Sequence, residues 1–129
     1  MDNLSHCDEA GLERLVHAFY ARVREDAELG PIFNRAIHDW PEHLDKLHAF
    51  WSSVMLTSGR YKGQPVPAHA RHRDEITPAL FDRWLALWGE TARQLMTPEA
   101  AQALEAKAAR IAESLKLALF FRLDPQPAH

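Results

Sequence analysis

Two histidines, His43 and His69, carry the clearest chemical signal in the chain. His43 lies in a stretch with helical periodicity, and His69 lies in the irregular run from Gly59 to Arg73. Imidazole is a common metal ligand. One imidazole on a helix and another on a nearby loop have the means to hold a flat metal cofactor between them, one on the metal and one over its open side. Tyr20 and Trp84 add a phenol O–H and an indole N–H on the apolar faces of other segments. The plainer readings stay open at this point: solvated histidines, and a tyrosine and tryptophan packed into a core. His48 falls on an apolar stripe and reads as a core histidine. His72, three residues past His69, competes with it as a metal ligand. The pair His69 and His72 also admits a zinc site, although no acidic or cysteine partner stands at fixed spacing beside them.

The elements that must position these side chains are helices separated by proline and glycine. Leu12, Leu15, Val16, Phe19, Tyr20 and Val23 recur with helical spacing, with a start signal in Ser5 and Asp8 and an end at Gly30-Pro31. A second helix begins near Pro41, with Asp39 as its cap. Its stripe is Leu44, Leu47, His48, Trp51, Val54 and Met55. The run SGRYKGQPVPAHARHRD follows, longer than most connections in a compact domain, which favours a functional role for it. A third helix starts after Thr77-Pro78 and carries Phe81, Trp84, Leu85, Trp88 and Leu95. A fourth starts at Thr97-Pro98-Glu99 and presents Leu104, Ala108, Ile111, Ala112, Leu115 and Leu119. No segment reads as a strand, so the fold class is all-α.

Composition bounds the function. A chain of 129 residues with 47% hydrophobic residues is one soluble domain. We expect its core to span residues 8–122 and its C-terminal tail, 123–129, to be frayed. A net charge of -3 without a basic block argues against nucleic-acid binding. No apolar run reaches the ~18 residues of a membrane span, so no membrane insertion is expected. Cys7 is the single cysteine, which excludes an internal disulfide. The N-terminus lacks the basic and apolar regions of a secretory signal, and the expected location is cytoplasmic. Oligomeric state is not legible.

Four blocks together resemble a group III truncated haemoglobin: FYARVREDAELGPIFNRAI, WPEHLDKLHAFWSSVML, SGRYKGQPVPAH and ITPALFDRWLALW. The similarity runs from about Leu12 to Phe121. It implies a shortened globin, two antiparallel helix pairs crossed around haem b. By that resemblance His69 is the proximal ligand of a five-coordinate iron, with His72 the alternative. Tyr20, His43 and Trp84 form a polar distal side that binds oxygen and other diatomic gases, NO and CO. Fixed donors in a dry pocket stabilise the partial negative charge that oxygen draws from ferrous iron, so release should be slow. Phe33 would pack on the haem plane. Leu47, Phe50, Trp51, Met55 and Trp88 are candidates for the remaining lining, with interhelix packing as their alternative. Arg60, Tyr61 and Lys62 are candidate partners for the haem propionates, with solvated side chains as theirs. A redox role, nitric oxide dioxygenase or peroxidase-like, is the alternative to gas binding and needs an external reductase.

Overall fold

The computed structural model describes residues 4–63, 69 and 75–120. Among them are five helices: α1 (Glu9–Glu25), α2 (Gly30–Ala36), α3 (Trp40–Leu56), α4 (Pro78–Leu95) and α5 (Pro98–Phe120). The described residues contain no strand, only an isolated bridge between Ser5 and Met96. The all-α expectation holds. His72 and the tail after Leu123 lie outside the described residues.

Helix starts follow local chemistry. Asp8, Asp39 and Thr77 each accept a hydrogen bond from a backbone N–H of the first turn they cap, at 2.8, 3.1 and 3.3 Å. Each satisfies one of the donors that a helix N-terminus leaves unpaired. Pro41 and Pro78 occupy first-turn positions where no N–H is needed. Two boundaries differ from the sequence reading. Ser5 does not start α1: its backbone N–H donates to the Leu95 carbonyl, its carbonyl accepts from Thr97, and Asp8 alone makes the cap. Nor does α1 run to Gly30-Pro31. It stops at Glu25, because the Asp26 carboxylate accepts from the N–H groups of Glu28 and Leu29 and turns the chain there. Pro31 then sits in the first turn of α2, a short helix that the sequence reading ran into the end of α1. Gly30 is required at that corner, since a Cβ there would lie 2.7 Å from the Arg24 carbonyl oxygen.

Packing centres on α1, which lies against α2, α3 and α4, while α4 lies along α5. Leu12, Leu15, Val16, Phe19 and Val23 of α1 are fully buried, as are Trp88 and Ala92 of α4 and Leu104 and Ala108 of α5. Each large apolar side chain so buried contributes about 1.5–3 kcal/mol relative to exposure. A smaller cluster of Phe81, Ala112, Leu115 and Leu119 seals the far part of the α4–α5 contact. Polar ties fix the helices in register. Arg83 of α4 pairs with Asp26, and Arg22 of α1 donates to the buried Thr91 hydroxyl at 3.0 Å and to Gln94 at 2.7 Å.

Candidate functional site

Tyr20 and Phe19 are adjacent on α1 and their rings meet edge to face at 4.7 Å. From this pair an aromatic wall runs two ways. Tyr20 lies 5.9 Å from Phe33 of α2 and 6.2 Å from Trp40 at the start of α3, and Trp40 lies 6.0 Å from His43 one turn on. Phe19 meets Trp84 at 5.6 Å and Trp88 at 4.9 Å, both on α4. The wall therefore brings one side chain from each of the three helices that the sequence reading singled out for distal donors.

The polar atoms converge as well. Tyr20 is 4% exposed, and burial pushes its phenol up to about 12. The Trp84 indole lies close enough to act on the phenol oxygen and partly offsets that rise. The phenol thus stays protonated and carries a proton it can donate. His43 is half-buried, which answers the solvated reading for it. Burial, then Lys46, then His69 push its imidazole below the ordinary histidine value, and Glu42 opposes them. The His69 contribution places the two imidazoles within electrostatic reach of each other, although 26 positions separate them in the chain numbering given. His69 itself has helical backbone and is half-buried.

Around these groups, apolar side chains that pack on the core keep part of their surface open. Phe33, Leu47, Phe50 and Met55 do so among the expected lining, and Ile37 and Leu80 join them from α2 and α4. Half-open apolar surface of this kind, with His43 and His69 in electrostatic reach of each other, suits a flat, largely apolar metal cofactor. Trp51 and Trp88 behave differently. They are 1% and 0% exposed and stack on each other at 4.4 Å, the interhelix packing that stood as their alternative. Arg60 forms an ion pair with Glu9 at 2.8 Å, Tyr61 lies edge-on to Phe50 at 5.2 Å, and Lys62 is exposed.

His48 is half-buried, but it is not the satisfied core histidine that its place on the stripe suggested. Its side chain is 12% exposed, with Nε2 3.0 Å from Glu9 Oε1 but outside hydrogen-bond alignment. Glu9 is held below the ordinary carboxylate value mainly by the hydrogen bond from the buried Ser52 hydroxyl at 2.7 Å. Among the described residues no group of three histidine, cysteine, aspartate or glutamate side chains is placed to hold a bare metal ion. The sequence reading missed Trp40. It links Tyr20 to His43 and carries the Arg24 guanidinium on its outer face at 4.7 Å. Its position three residues before His43 on the same helix was the available signal.

No protein-family profile matches the chain. A curated relative, the group 3 truncated haemoglobin ctb of Campylobacter jejuni, is 32% identical over 120 residues, covering 88% of this chain and 91% of its own. The crystal structure of the group III truncated haemoglobin from Campylobacter jejuni superposes with a TM-score of 0.82 at 30% identity, over 99% of this chain and 100% of that one. The structure of Chlamydomonas reinhardtii THB1 gives 0.65 at 31% identity, over 88% and 91%. Identity at this level over almost the whole length of both chains, on one shared fold, makes this chain a member of the group III truncated haemoglobins, all-α globins whose cofactor is haem b.

Proposed function

We propose that this globin binds oxygen, NO and CO through a haem iron ligated by His69, with Tyr20, Trp84 and His43 supplying the polar distal side. Bound haem would supply an iron able to take an imidazole and a diatomic gas. His69 would hold it through its imidazole. Phe33, Leu47, Phe50 and Met55 would line the site and exclude water. Tyr20 offers its phenol proton to the gas, and its burial keeps that proton in place. Trp84, whose one N–H acts on the phenol oxygen, orients that donor from α4. His43, held mainly neutral by burial, adds an imidazole at the edge of the same space. Donors fixed in a dry site need no reorganisation when charge appears on the gas, which favours tight binding and slow release. Tyr61, edge-on to Phe50, with Arg60 and Lys62 beside it in the chain, would be the partners of the propionates.

The observation that carries this reading is the contact between Tyr20 and Trp84. They stand far apart in the sequence, on two helices, and the indole acts on the buried phenol, which supports a shared polar site. His69→Ala tests the ligand assignment. It should abolish stable haem uptake, seen as loss of the Soret band after reconstitution. A normal haem spectrum in His69→Ala, with loss in His72→Ala instead, would move the iron to the other histidine.

A further inference from the structure

Trp84, Trp88 and Trp51 form a continuous stack. The Trp84 and Trp88 planes are 4° from parallel with centroids 5.7 Å apart, and the Trp88 and Trp51 planes are 17° from parallel at 4.4 Å. Three of the chain's four tryptophans are thus in face-to-face succession. Trp84 is half-buried beside Tyr20 at the candidate pocket, while Trp88 and Trp51 are enclosed in the core. Beyond Trp51 the ring series goes on through Phe50, at 5.6 Å, to the half-exposed Tyr61, at 5.2 Å from Phe50. Offset stacking or edge contact would pack a core as well. What packing alone does not require is a continuous line of rings, oxidisable at Trp84, Trp88, Trp51 and Tyr61, from the pocket to a half-exposed phenol.

We propose that this line is a relay for single electrons, running from Tyr61 through Trp51 and Trp88 to Trp84, and used when hydrogen peroxide is reduced at the haem. The inference rests on the haem reading above. Reducing one peroxide to two waters takes two electrons and two protons. The protons come from solvent, and the electrons reach the pocket one at a time from Trp84. Each electron lost from Trp84 is replaced from Trp88, and that from Trp51. The indoles act without proton transfer. The Trp88 N–H donates to the Leu104 carbonyl at 3.2 Å, and an amide oxygen is too weak a base to take the proton. The resulting indole radical cation is flanked by ring faces, whose quadrupoles favour positive charge. Tyr61 closes the sequence: it gives an electron to Trp51 across the Phe50 ring and its phenolic proton to water. A one-electron reductant in solution, ascorbate for instance, then restores Tyr61, two ascorbates per peroxide.

The test treats ferric holoprotein with hydrogen peroxide in the presence of a nitrone spin trap and maps adducts by peptide mass spectrometry. Wild type should carry the adduct on Tyr61. Trp88→Leu keeps an apolar side chain in the core but removes the ring and interrupts the relay. It should lose the Tyr61 adduct and accumulate oxidation at Tyr20 and Trp84. Tyr61→Phe, at a half-exposed position that tolerates the change, should leave the radical on Trp51. An undiminished Tyr61 adduct in Trp88→Leu would mean the electron reaches Tyr61 by a route without Trp88, and overturns the relay. Wild-type adducts confined to Tyr20 and Trp84 overturn it as well. An unchanged Soret band in either case leaves the haem reading standing, whereas loss of haem in His69→Ala tests that reading alone.

Discussion

Tyr20→Phe keeps the ring among Phe19, Phe33 and Trp40 and removes only the hydroxyl. In the wild type that hydroxyl is shielded from water and the Trp84 indole acts on its oxygen, and its proton is the group it would offer to a gas. A hydrogen bond to a charged acceptor contributes about 1.5–3 kcal/mol, and about 1.4 kcal/mol is a tenfold change, so oxygen should leave the variant roughly ten to a hundred times faster. Trp84→Phe removes the indole donor and also releases the phenol from its fixed position. Because the two groups touch, their effects should not add. The double variant should depart from the product of the single changes by about 0.5 kcal/mol or more. Carbon monoxide gains little negative charge when bound and should respond much less. Stopped-flow release of both gases from the three variants is the measurement. Unchanged oxygen release in both single variants would return Tyr20 and Trp84 to plain core packing. Equal acceleration of both gases would indicate a widened pocket, not a lost hydrogen bond.

The phenol value of about 12 makes a further point testable: Tyr20 should donate unchanged across neutral and moderately alkaline pH, and its contribution to oxygen retention should fall only near that value. Arg83→Met should destabilise the fold most at neutral pH. Arg83 holds the Asp26 carboxyl below its ordinary value, so Asp26 contributes stability above the unfolded carboxylate range, and that contribution is lost as pH falls through its folded value. Denaturation of both proteins across pH should therefore show the gap closing in acid; a gap constant with pH would refute the assignment. Leu15→Ala, at a fully buried α1 position, should cost about 2–5 kcal/mol in chemical denaturation. Thr91→Val removes the hydroxyl that accepts from Arg22 and donates to the Leu87 carbonyl, and should cost about 1 kcal/mol by the same measurement.

The sequence by itself determined what depends on neighbours along the chain. The stripe from Leu12 to Val23 specifies a helix and the face it buries, because a period of 3.6 residues aligns those side chains. Asp39-x-Pro41 and Thr77-Pro78 specify helix starts, since a cap and a first-turn proline act within one turn. His43 and His69 stood out through residue type and local context, and the four matched blocks carried the family. The early stop of α1 was not legible. Asp26 reads as an ordinary surface acid until its carboxylate is seen accepting two backbone N–H groups and pairing with Arg83, 57 residues away. Only the tertiary structure decided which donors meet. Tyr20 and Trp84 have no relation in sequence spacing, and the packing of α4 against α1 brings indole to phenol. Trp51 and Trp88 likewise read as either lining or core until the two rings, one from α3 and one from α4, stacked face to face and were buried. Periodicity assigns a side chain to a face. What that face meets is set by helices that come together across long stretches of chain, through contacts that no local spacing encodes.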